Sequence, residues 1–161
     1  GGHHSAGGGR MTIRTAIVRR AIDVGALLAA VADTANGATV LFLGRVREVN
    51  DGRAVTGIEY SAYAEMAERE LAAIASECAA QFGIAHLAAE HRLGELALGD
   101  ASIAIAVAHP HRAAAYEASR FVIEQVKRRL PVWKREGYVD GTSEWVNAGG
   151  ASQGAPAQEQ R

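Results

Sequence analysis

Lys127-Arg128-Arg129-Leu130-Pro131-Val132-Trp133-Lys134-Arg135-Glu136 is the stretch on which the reading of this chain turns. Five of its ten residues are cationic, yet Leu130, Val132 and Trp133 form an apolar spine that needs cover, so the segment is pinned to a core. Pro131 has no N–H to continue a helix and biases Leu130 toward extended backbone. A helix is therefore predicted to end near Arg129, and a strand to begin near Val132. Lys127 then lies in the last helical turn and Lys134 on the strand, two ammonium groups on different elements around one corner. Two readings stay open. Lys and Arg at a helix C-terminus suit its dipole; equally, such a corner favours an anionic ligand and lowers a lysine pKa.

Outward toward the N-terminus, Ala113 to Arg129 reads as a long helix, with Tyr116, Ser119, Ile123, Val126 and Leu130 on one face. Before it, His109-Pro110-His111-Arg112 joins the end of an Ile/Val/Ala-rich strand, Ala101 to Ala108, to the helix N-terminus. Free N–H groups and the positive dipole end gather there, and Arg112 and His111 add donors, a pattern suited to an anion. The i, i+2 histidines His109 and His111 lack a third ligand of matching spacing, so no metal is expected. His86 and His91, on a predicted strand from Ile84 to Arg92, are read as surface or internally satisfied histidines. Tyr63 to Phe82 is the clearest helix, with Ala67, Leu71, Ile74, Cys78 and Phe82 at helical spacing and Gly83 as its stop.

Further back, Ala38 to Arg47 reads as a strand that turns cationic at Arg45 and Arg47, which point to one side if the strand is regular. Asn50-Asp51-Gly52 is a hairpin turn, and Val55 to Tyr60 is the returning strand. Thr12 to Val18 is a first strand, and Asp23 caps a short helix, Val24 to Ala32. Beyond the opening stretch, Asp140-Gly141 separates two last strands, the second being Ser143 to Val146.

The 161 residues carry a formal net charge of −1, so no global basic field argues for nucleic acid or an anionic membrane. No apolar run approaches the length of a membrane span. The single cysteine, Cys78, excludes an internal disulfide, fits a reducing cytoplasm and lies on an apolar helix face as a core residue. Gly1 to Arg10 resembles a tag remnant before a start at Met11, which leaves one domain over residues 11–147. Residues 148–161 lack apolar periodicity and are expected to form a mobile tail dispensable for folding. There is no phosphate-binding glycine loop, dinucleotide fingerprint or nucleophile elbow. Gly149-Gly150 is followed by eleven further residues, so the chain is not itself a ubiquitin-like carrier.

Taken in order, Phe42-Leu43-Gly44-Arg45-Val46-Arg47, His91-Arg92-Leu93-Gly94-Glu95-Leu96 with Gly99-Asp100, His111-Arg112, Leu130 to Glu136 and Trp145-Val146 resemble the large, catalytic subunit family of molybdopterin synthase. The resemblance runs from about Gly37 to Val146. Pro110 departs from it, standing where a small residue is more usual. The resemblance implies an α+β fold of the hammerhead type, a mixed or antiparallel sheet with two long helices in a single domain. It also implies a homodimer at the centre of a heterotetramer, whose small ubiquitin-like sulfur-carrier subunit ends in a thiocarboxylate. The implied reaction moves two sulfurs onto cyclic pyranopterin monophosphate to form the molybdopterin dithiolene, with no cofactor. By motif position, Lys127 and Lys134 are the implied catalytic residues, and Arg47, His111 and Arg112 line the substrate's anion-binding side with them. A non-catalytic adaptor for a ubiquitin-like tail, or a module binding a phosphorylated metabolite, is the alternative.

Overall fold

The computed structural model describes residues 10–147, and the readings of a tag remnant and of a tail fall, Arg10 apart, outside them. Nine strands and three helices follow in the order β1 (Thr12–Val18), α1 (Val24–Ala30), β2 (Ala38–Arg45), β3 (Val49–Asn50), β4 (Arg53–Ala62), α2 (Ala64–Phe82), β5 (His86–Arg92), β6 (Gly94–Ala97), β7 (Ala101–His109), α3 (Arg112–Arg129), β8 (Val132–Tyr138) and β9 (Ser143–Asn147). The α+β class holds, with the strands in two sheets. The first sheet has the order β1-β5-β7-β2, parallel between β1 and β5 and antiparallel elsewhere. The second runs β3-β4-β8-β9, with β6 on the other edge of β4, and is antiparallel throughout.

Side-chain size along β7 sorts the layers. Ile103, Ile105 and Val107 point to one face and join Leu71, Ile74, Val122 and Val126 of the two long helices in the main core. Ala104, Ala106 and Ala108 point to the other face, where their small size lets α1 approach with Leu27 and Val31. Both faces of β7 are thus buried, which accounts for its nearly unbroken apolar run. Arg129 ties the long helices together, donating to Glu70 at 2.6 Å and Glu77 at 2.7 Å. Among the described residues, no helix is long and apolar enough to cross a membrane.

The Pro131 corner forms as its chemistry requires. Leu130 caps α3 in extended geometry (φ −72°, ψ 125°), and the Val132 N–H donates across Pro131 to the Leu130 carbonyl at 2.8 Å. Val132 drops into the main core, and β8 runs off along β4 in the second sheet. The corner therefore joins the two sheets.

Besides shifts of one or two residues at other element ends, three features differ from the sequence reading. The hairpin at Asn50-Asp51-Gly52 joins β3 to β4 and not β2 to β4, because β2 pairs with β7 in the first sheet. β2 ends at Arg45, where its register with β7 shifts after Gly44, so Arg47 lies beyond the strand. A Cβ on Gly44 would stand 2.8 Å from the Ile103 γ2 methyl, so only glycine permits this close approach. β6 was not anticipated; it is four residues long, and Gly94 enters it at φ 101°.

Candidate active site

Alternation along β4 and β8 builds one wall of a cleft. Tyr60 lies opposite Lys134 and Ile58 opposite Glu136, so all four side chains share a face of the second sheet. The end of β2 supplies Gly44 and Arg45, with Arg47 just past it, β7 supplies Ser102 and Ile103, and the last turns of α3 supply Ile123 and Lys127. Together they enclose about 220 Å³. Lys127, Lys134 and Arg47 thus converge from three different segments, as the anion-site reading of the Pro131 corner requires.

The cations are held by a polar network on the cleft floor. Glu136 is only 3% exposed, and both its carboxylate oxygens accept from Asn50 Nδ2 at 2.8 Å. The Tyr138 hydroxyl donates to it at 2.8 Å, and Lys134 Nζ stands 3.7 Å away. Asn50 Oδ1 in turn accepts from Arg47 Nη2 at 2.8 Å, so one buried carboxylate positions a lysine directly and an arginine through an amide. Arg45 donates to the Gly99 carbonyl at 2.9 Å.

Lys127 is open to solvent along part of its side chain, yet its amine is held below the ordinary lysine range. Burial against the cleft wall is the main cause, and the like charges of Lys134 and Arg47 add to it. Burial also raises the Tyr60 hydroxyl, against the opposing effect of Ser102, and it lifts the Tyr138 hydroxyl to about 12, aided by Glu136. Cys78 packs in the main core with its thiol pushed up to about 12 by burial, so it offers no thiolate.

His111 and Arg112 do not join this cleft within one chain. Both are exposed at the start of α3, Arg112 fifteen residues before Lys127, which is about 22 Å along a helix axis. The strand register agrees, since His109 pairs with Ala38 and Ala101 with Arg45, at opposite ends of β2. His109 Nδ1 accepts the His111 backbone N–H at 2.9 Å, which uses one of the free N–H groups of the helix N-terminus. Among the described residues, no three His, Cys, Asp or Glu side chains converge as metal ligands.

Sequence reading missed Asn50, Tyr60, Ser102 and Glu136 as cleft residues. Tyr60 and Glu136 could have been found by pairing β4 with β8 and following alternate positions from Lys134. His86 and His91 are both buried, which settles the choice left open for them. His86 Nε2 lies 3.1 Å from Asp33 Oδ2, and His91 Nδ1 lies 3.0 Å from the Arg92 carbonyl. A larger open furrow of about 500 Å³ lies on the opposite face of the second sheet, over Gly57 and Gly137. Its lining cation, Arg135, is paired with Glu59 at 2.5 Å, and Glu95 adds a second negative charge, so it does not favour an anion.

Comparison with known proteins gives a consistent result. A sequence model of the MoaE protein family matches residues 17–129. The molybdopterin synthase catalytic subunit of Emericella nidulans is 43% identical over 115 residues, 71% of this chain and 59% of that protein's length. The catalytic subunit of Halalkalibacterium halodurans is 40% identical over 133 residues, covering 83% of this chain and 85% of its own. The crystal structure of molybdopterin synthase from Staphylococcus aureus superposes with a TM-score of 0.77 at 36% identity, covering 87% of this chain and 96% of that one.

Proposed function

Because this chain belongs to the MoaE protein family, we propose that it is the catalytic subunit of a molybdopterin synthase. In this reading it moves sulfur from the thiocarboxylated C-terminus of a small ubiquitin-like subunit to cyclic pyranopterin monophosphate, forming the dithiolene. The observation that carries the reading is the convergence of Lys127, Lys134 and Arg47 on one cleft. A thiocarboxylate and a cyclic phosphate are both anions, and they repel each other unless fixed cations lie between them. The sulfur arrives already activated, so no nucleophilic cysteine is needed, in keeping with the inert Cys78. In each transfer the carrier sulfur forms a C–S bond on the pterin as a C–O bond there breaks and its oxygen leaves with a proton. Water then hydrolyses the resulting thioester, freeing the carrier as a carboxylate and leaving the sulfur on the pterin. The reducing setting that free thiocarboxylates require suits a cytoplasmic protein with one buried thiol.

Lys127 is the acting group in this scheme. Its amine, at the end of α3, faces the reacting anions as an ammonium, and its lowered pKa eases proton donation as oxygen leaves. Lys134, fixed beside Glu136, supports the same charge from the strand. The test is single-turnover sulfur transfer with the thiocarboxylated carrier. Lys127→Ala and Lys127→Arg are expected to lose about 10²–10³ in rate with carrier binding intact, and Lys134→Ala somewhat less. The wild-type rate should fall as pH rises through the Lys127 pKa, because the ammonium is the working form. Near wild-type rates in both Lys127 variants would favour a non-catalytic adaptor.

The distance from Lys127 to His111 and Arg112 suggests where those two residues act. In the homodimer we propose, they serve the lysine cleft of the second copy, adding cations for the substrate phosphate. The support is the exposure of both residues at a helix N-terminus, with no role inside their own chain's cleft.

A further inference from the structure

Beneath the cleft lies a second, much smaller cavity of about 20 Å³, with Tyr60, His91, Ser102, Lys127 and Lys134 in its walls. That volume holds one water molecule, which needs roughly 10–15 Å³ and two to four polar partners. His91 is 4% exposed and has no part in the sulfur-transfer scheme above. Its Nδ1 lies 3.0 Å from the Arg92 carbonyl, an acceptor only, so Nδ1 carries the proton and Nε2 keeps a lone pair. The Tyr60 ring meets the imidazole edge-on at 5.2 Å and fixes its plane. A second proton on His91 would place a buried cation beside Lys127 and Lys134, so the ring stays neutral.

We propose that His91 is a positioning residue for Lys127, acting through one water held in this cavity. The water accepts from the Lys127 ammonium and donates to His91 Nε2 and to Ser102 Oγ, whose own proton goes to the Gly44 carbonyl at 3.3 Å. The neutral imidazole thereby supplies an acceptor that draws the ammonium toward the base of the cleft and limits how far burial lowers its pKa. This rests on the reading of Lys127 as the acting lysine. The charged or titratable groups around Lys127 are Lys134 and Glu136 on β8, Tyr60 on β4, Arg45 at the end of β2, Arg47 just past it, and His91 on β5. Lys134 is left unchanged in every protein compared, so the effect is read as a difference between them.

The experiment is the pH dependence of single-turnover sulfur transfer in wild type, His91→Asn and His91→Gln, with the thiocarboxylated carrier bound. Asn keeps a donor near the Arg92 carbonyl but has no atom at the Nε2 position, whereas the Gln amide reaches it. His91→Asn is expected to move the alkaline limb down by about one pH unit, the scale of one hydrogen bond to a charged group. His91→Gln is expected to restore it at least in part. An equal loss of rate at every pH with the limb unmoved would mean a packing role and overturn the proposal. If neither variant folds, nitrogen-15 NMR of the wild-type ring decides, with Nδ1–H expected and an Nε2–H tautomer overturning it. Lys127→Ala separates the two levels of inference. Wild-type activity there removes the lysine reading and this one with it, whereas severe loss beside an unmoved limb in His91→Asn removes this one alone.

Discussion

Asn50 shows how much of the cleft depends on a residue that carries no charge. It sits in the two-residue strand β3, yet its amide nitrogen bonds both oxygens of the buried Glu136 and its carbonyl holds Arg47. Without it, Arg47 keeps its charge but loses its bearing, and Glu136 loses two of its hydrogen bonds. Asn50→Ala is therefore expected to raise the KM for the cyclic pterin roughly tenfold, the equivalent of one hydrogen bond to a charged group, with a smaller effect on kcat. Steady-state kinetics with saturating carrier checks this, and an unchanged KM would show that Arg47 is oriented by something else. Glu136 explains why three cations tolerate one another so closely. It is a fixed counter-charge 3.7 Å from Lys134, whereas the Lys127 amine, farther round the corner, is lowered in pKa chiefly by burial, with the charges of Lys134 and Arg47 adding to it.

At the scale of elements, β7 carries most of the architecture, because its two faces serve two different cores. Ile105, fully buried in the core that both long helices share, should cost about 2–5 kcal/mol when cut to alanine, since the surrounding core closes only partly over the space. Urea unfolding of Ile105→Ala measures it; a loss below 1 kcal/mol, roughly that of an exposed site, would mean the core collapses there. The same elements show what the sequence could reveal. Pro131 made the helix end and strand start legible, because proline acts on its immediate neighbours regardless of the rest of the fold. The long helices were legible from the spacing of their apolar residues. β6 was not, since four residues beginning with glycine are too short for alternation to register. The strand reading carries on to Arg47 because the register shift after Gly44 belongs to the pairing of β2 with β7, far away in sequence. Tyr60, Ser102 and His91 enter the site only through pairing between strands, which no local pattern records.

For the whole molecule, the separation of the lysine cleft from the His111-Arg112 turn is the fact that most needs an answer. α3 keeps them about 22 Å apart, and a rigid helix cannot bend to unite them. A twofold dimer resolves this if each cleft faces the α3 N-terminus of the other copy, since an isologous interface makes both exchanges at once. Mixing two defective proteins tests it. Lys127→Ala and Arg112→Ala are each expected to be nearly inactive at pterin concentrations below KM. In a mixed dimer, one composite site carries both lesions, while the other combines an intact Lys127 with an intact Arg112 from the opposite chain. Equal mixing with free exchange makes about half the dimers mixed and half their sites whole, so about a quarter of wild-type activity should return. If each site drew its residues from a single chain, every site in the mixture would carry one lesion and no activity would return. Recovery that grows as subunits exchange, followed by native mass spectrometry, would join the two halves of the anion site across the dimer; its absence with mixed dimers present would confine the chemistry to Lys127, Lys134 and Arg47 of one chain.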